Sequence, residues 1–220
     1  MFKPFVFIIA TVLASTAQAA PEINALLTHE SINHRADGVT ETYVYQERLV
    51  RADDNVWLER VLPPQNLPTQ PGTAGDHGPN LQTLPRWMRK ANAGSATLTL
   101  VDRATRTVVA VKPPEFGRLG YSDNWLAESS LIDPAGLKTM QLSARVSTQV
   151  STHWYEPTRT GRYSRILWSD ALQFPLAIET GSEDGRVSSR TTVALSDAPK
   201  TRPWSGLEGY AAHEVDDFGD

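Results

Sequence analysis

The chain contains no cysteine. Its fold therefore forms without disulfides, which requires one well-packed core. A lipid-anchored lipoprotein is also excluded, because that processing acylates a cysteine at the new N-terminus. Beyond the N-terminus there is no apolar run long enough to span a bilayer, so no integral membrane segment is expected after leader cleavage. Charge of one sign is scarce too: 21 basic against 25 acidic residues give a net charge of −4. That balance argues against a nucleic-acid footprint and against a polybasic membrane patch. Several catalytic signatures are missing. No serine sits in Gly-x-Ser-x-Gly, and there is no glycine-rich phosphate loop or dinucleotide fingerprint. No catalytic residue, cofactor or resident metal is therefore expected.

What is present begins with a leader. Lys3 precedes an apolar core at residues 5–13, and Ala17-Gln18-Ala19 offers a small-x-small cleavage pattern. Residues 1–19 read as a signal peptide cleaved near Ala19, which places the mature protein in the periplasm. Residues 20–220 are then long enough for one domain with a substantial core.

Within that domain, residues 23–32 carry Ile23, Leu26, Leu27 and Ile32 at a spacing that suits a short helix or a docked arm. Residues 39–50 and 56–62, rich in β-branched and aromatic side chains, flank Asp53-Asp54-Asn55 and read as a hairpin. Its charged residues Glu47, Arg48, Arg51, Glu59 and Arg60 suggest a solvated face with cross-strand ion pairs. Residues 63–85 are rich in proline and glycine and read as a long loop, either a lid or a disordered insertion. Leu81, Leu84, Trp87 and Met88 then recur at helical spacing, predicting a covering helix over residues 85–93. Residues 96–101 and 107–112 form a further hairpin, and residues 115–137 look loop-like. Met140, Leu142, Ala144, Val146, Val150 and Trp154 all fall on even positions, which predicts a half-buried strand. Residues 163–168, 176–180 and 186–195 complete an antiparallel meander, and residues 203–220 dock back on the body. The expected class is α+β, mainly β. It has six to eight antiparallel strands in a curved sheet or half-open β-barrel, with one or two covering helices.

Two sets of residues stand out as sites. The tryptophans Trp57, Trp87, Trp125, Trp154 and Trp168 either fill the core of the curved sheet or line an apolar cavity within it. The histidines His29, His34 and His77 offer a composite metal site if the fold brings them together, although His29 and His34 lack the i, i+4 spacing of the zinc-protease helix.

Residues 154–195 carry a more particular pattern. Arg165-Ile-Leu-Trp168-Ser-Asp170 is followed by Phe174-Pro175-Leu176, then Ile178-Glu179, then the turn Asp184-Gly185 into residues 187–195. This stretch resembles the C-terminal half of the periplasmic lipoprotein-carrier (LolA-like) family and its relatives, which include an envelope-stress regulator's sensor domain. The resemblance implies an incomplete antiparallel barrel with helices plugging its open side. It implies the binding of an acyl chain, lipid or lipoprotein, with no chemistry. The loop over residues 63–85 and the polar segment 115–136 depart from the family pattern. Three readings stay open: a periplasmic binding or chaperone-like transport protein for an apolar ligand, an envelope regulatory or accessory protein that grips a partner protein, and a metal-dependent enzyme using His29, His34 and His77.

Overall fold

The structure is a computed structural model that describes residues 20–62, 81–158 and 162–218. Residues 1–19, and residues 63–80 of the proline- and glycine-rich stretch with His77, lie outside the described residues.

One twelve-stranded sheet organises the chain. Its strands are β1 (Ile23–His34), β2 (Thr40–Ala52), β3 (Asn55–Val61), β4 (Arg86–Lys90), β5 (Ala96–Asp102) and β6 (Thr107–Val111), then β7 (Gln141–Leu142), β8 (Thr152–Glu156), β9 (Arg162–Ser169), β10 (Phe174–Ser182), β11 (Val187–Leu195) and β12 (Ala211–Glu214). The order across the sheet is β12-β6-β5-β4-β3-β2-β1-β11-β10-β9-β8-β7. Two meanders, β1–β6 and β7–β11, are thus joined where β1 pairs with β11. Neighbours are antiparallel except β12, which lies parallel to β6. The sheet stays open, with β7 and β12 at its edges. The sheet is larger than the six to eight strands expected, because β1, β4 and β12 add to those expected and the single strand expected over residues 140–154 divides into β7 and β8.

The first hairpin closes as the sequence suggests. Asp53 and Asp54 form the two-residue loop, with φ of 51° and 56°. Positive φ at both positions matches the twist of the flanking strands.

Both faces of the sheet are covered. On one face, the register aligns Ala25, Leu49, Leu58, Arg86, Leu100 and Val109 in a row across six strands. A second row holds Ile23, Arg51, Val56, Met88, Leu98 and Val111. A cover built from residues 113–137 lies over these rows. It consists of a 3-10 segment (Pro113–Leu119), helix α1 (Trp125–Ser129) and helix α2 (Pro134–Leu137). Asn124 caps α1 by accepting from the Leu126 and Ala127 amides, and Asp133 caps α2 in the same manner. Phe116 and Trp125 of the cover sink among Val56, Met88, Leu98, Leu100, Val109 and Val111. Each fully buried side chain of this size contributes about 1.5–3 kcal/mol. On the other face, Val50, Trp57 and Val101 are covered by Trp204, Leu207 and Tyr210 of the C-terminal segment.

Three sequence expectations are corrected here. Residues 23–32 are neither helix nor arm but the first half of β1, in which Ile23, Ala25 and Leu27 alternate into the core. Residues 85–93 hold β4 rather than a covering helix. Met88 faces the cover and Trp87 faces the C-terminal segment, so adjacent apolar residues reflect a strand buried on both sides. The covering helices come instead from residues 113–137. The even-numbered run 140–154 forms only β7 and the start of β8, and Val146 and Val150 are 85% and 93% exposed.

Gly181 marks a close approach on β10. A Cβ there would lie 2.6 Å from both the Tyr163 hydroxyl and the Val187 carbonyl oxygen. Gly181→Ala is therefore expected to cost about 1–3 kcal/mol, seen as a lower urea midpoint. An unchanged midpoint would show that Tyr163 and the β11 backbone give way freely.

Candidate functional site

Toward one end of the covered face the apolar rows give way to charge. The next positions along the same parity are Leu27, Glu47 and Arg60, followed by His29 and Tyr45. Glu47 and Arg51 were expected on a solvated face. They share the inward parity of Leu49, and both are buried. Arg48 takes the opposite face, so the hairpin's charges divide between the two sides.

Glu47 is the hub of this end. One carboxylate oxygen accepts from the Arg86 guanidinium, and the other lies 2.9 Å from His29 Nε2. His29 Nδ1 lies 3.0 Å from the Thr191 hydroxyl on β11. Tyr45 is sandwiched. Its ring stacks on His29 at 4.6 Å, and Arg60 sits over it at 4.3 Å. Desolvation works to raise the Glu47 pKa, but the contacts with His29 and Arg86 outweigh it and hold the carboxyl below its ordinary value. Burial raises the Tyr45 phenol, with the Glu47 charge acting in the same direction.

Two contiguous cavities lie between this part of the sheet and the cover. They share Arg86, Leu119, Gly120 and Tyr121. The larger, about 500 Å³, is polar and carries Arg60, Arg86 and Arg118 against the single carboxylate of Glu47. The smaller, about 260 Å³, is mixed: Leu49, Val56, Leu58 and Met88 from the sheet and Leu119, Leu131 and Ile132 from the cover line it together with Arg86, Tyr121 and Glu128. Its carboxylate, Glu128, is tied to Ser122 by accepting from both its amide and its hydroxyl at 2.8 Å. The Tyr121 hydroxyl is buried at the junction and has no hydrogen-bond partner among the described residues. Adjoining cavities of about 500 and 260 Å³ have the dimensions of a small-molecule site.

The predicted site residues are placed elsewhere. Trp125 belongs to the core under the cover, Trp57 and Trp87 lie on the opposite face, and Trp154 and Trp168 fill two clusters at the β8–β10 end. Trp57 donates from its indole N–H to Glu59 at 3.1 Å, and Trp87 to Asn55 at 2.8 Å. None of the five lines the cavities described above. The composite metal site fails on periodicity. His29 and His34 are five residues apart on one strand and so project from opposite faces. His34 contacts Thr40 instead, and no cluster of three metal-ligating side chains occurs among the described residues. The lining residues Tyr45, Glu47, Arg60 and Arg86 fall on the inward parity of three strands, but charged side chains in a strand ordinarily mark the wet face, so the sequence pattern points the other way. Arg118 and Tyr121 come from irregular backbone and leave no such signal.

No helix among the described residues is long and apolar enough to cross a membrane. No protein-family model matches the chain, and no curated protein matches it in sequence. Among solved structures the chain is similar to PNGF-II at 8% identity and a TM-score of 0.40, over 87% of this chain and 31% of that one. It is similar to an outer membrane lipoprotein-sorting protein domain from Vibrio parahaemolyticus, at 11% identity and a TM-score of 0.35 over 82% of this chain and 87% of that one. It also resembles a LolA superfamily protein from Nitrosomonas europaea, at 8% identity and a TM-score of 0.34 over 81% of this chain and 87% of that one.

Proposed function

We propose that this is a non-catalytic periplasmic binding protein that holds an acyl chain or comparable elongated apolar ligand between its sheet and its cover. The observation that carries this reading is the apolar wall of the smaller cavity, with Leu49, Leu58 and Met88 from the sheet and Leu119, Leu131 and Ile132 from the cover. Transfer of each methylene from water into such a chamber contributes about 0.8 kcal/mol, so a chain alone supplies enough affinity. The leader at residues 1–19 and the likeness of residues 154–195 to periplasmic carriers favour the same compartment and role.

Native mass spectrometry of the purified protein, followed by solvent extraction, is expected to reveal a co-purifying lipid or acylated species. In the same preparation, Ala127→Trp on α1 places an indole in the chamber. It should weaken displacement of a fluorescent fatty-acid probe at least about tenfold while the fold is retained. A wild-type protein that carries no lipid and binds no chain-bearing probe would rule the reading out.

The alternative, a grip on a partner protein, draws on the β7 edge. Leu142 on that edge strand is 66% exposed, and Val146 and Val150 in the segment that follows it are exposed as well.

A further inference from the structure

We infer that the ligand is an amphiphile whose headgroup is anionic, a carboxylate or a phosphate, held by Arg60, Arg86 and Arg118 at the mouth of the apolar chamber. This rests on the reading of the chamber as a chain-binding site and adds the chemistry of the end that it does not enclose. The two cavities adjoin through shared lining residues. Leu49, Leu58 and Met88 line one, Arg60 and Arg118 line the other, and Arg86 lines both.

The charge balance at that end is uneven. Both oxygens of Glu47 are engaged, one by Arg86 and the other by His29. Arg60 and Arg118 have no carboxylate within ion-pair distance among the described residues, although Arg60 rests on the Tyr45 ring. Guanidinium groups present fixed forks of donors that match carboxylate and phosphate oxygens. Arg60 and Arg118 are both exposed, yet they flank a cavity whose inner wall is desolvated by Leu81, Leu100 and Leu119. Tyr121 lines both cavities, and its buried hydroxyl has no hydrogen-bond partner among the described residues. A neutral headgroup would offer these guanidinium groups no charged acceptor, and a cationic one would be repelled by them.

Calorimetric titration of the full mature chain with chain-matched probes tests this directly. The probes are palmitate, hexadecyl phosphate, the neutral alcohol hexadecanol and the cationic hexadecyltrimethylammonium, each below its micelle-forming concentration. Both anions are expected to bind at least about tenfold more tightly than the alcohol, with a preference that shrinks as salt is raised. The ratio between palmitate and hexadecyl phosphate then identifies which anion the site takes. In the double variant Arg60→Gln/Arg118→Gln, the ratio of anion to alcohol affinity should fall toward one. Both positions are exposed, so circular dichroism should report an intact fold. Equal affinity for alcohol and anions, or a preference for the cation, would overturn the headgroup assignment and leave the chain-binding reading standing. Failure of all four probes would overturn both.

Discussion

Arg51→Ala is expected to destabilise the protein by about 4 kcal/mol or more, roughly an 8–16 °C fall in melting temperature for a chain of this size. The side chain is 3% exposed and has no carboxylate partner among the described residues. Its guanidinium donates to four backbone carbonyls instead: Pro21 through Nε and Nη2 at 3.2 and 3.0 Å, Ser129 at 3.0 Å, Gln173 at 3.3 Å and Leu172 at 2.7 Å. It also lies over the Phe174 ring at 5.1 Å. Those carbonyls belong to three separate pieces of chain: the lead-in to β1, the end of α1, and the turn between β9 and β10. One side chain therefore ties the cover and both meanders to β2. Burial draws its pKa down to about 10, still well above neutral, so it carries its charge under ordinary conditions. Removing it leaves buried carbonyls without donors, each costing about 1–3 kcal/mol if water cannot reach them.

Arg51→Lys separates charge from geometry. An ammonium keeps the charge but reaches fewer of the four acceptors, so it should recover only part of the lost stability. Urea denaturation of both variants gives the comparison. A loss below about 1 kcal/mol for Arg51→Ala would mean that water replaces the guanidinium, and the tie would be dispensable.

The legibility of the fold follows from burial. The hairpin β2–β3 and the meander β9–β11 combine β-branched runs with short turn signals, and the sequence places both within a few residues. Strand β4 is covered on both faces, so Trp87 and Met88 sit side by side and imitate a helical stripe. The cover is built from pieces of four to seven residues whose caps, Asn124 and Asp133, also occur in plain turns. Periodicity cannot detect elements that short. The site was hidden for a related reason. Glu47 and Arg51 are charged residues on the inward parity of Leu49, and a charged residue in a strand ordinarily marks the wet face. Only the pairing register, which brings Arg86 of β4 into the row of Leu49 and Leu58, shows that this face carries both the core and the cationic mouth.

Glu47→Gln should lower stability at neutral pH by about 2–4 kcal/mol, because it leaves Arg86 facing a neutral amide in a largely enclosed position. The pH dependence gives the sharper test. The folded-state carboxyl pKa is held below its ordinary value of 4.5 by His29 and Arg86 despite the opposing desolvation. As pH falls, the unfolded chain takes up this proton before the folded protein does. The contribution of Glu47 is therefore complete above the ordinary carboxylate value and is lost as pH drops through the depressed folded-state value. The stability difference between wild type and Glu47→Gln should accordingly be largest at neutral pH and should shrink as the solution is acidified below the ordinary carboxylate value. Urea midpoints measured across that window would show it. A difference that stays constant with pH would mean that Glu47 acts by shape alone and that its ion pair with Arg86 contributes nothing to stability.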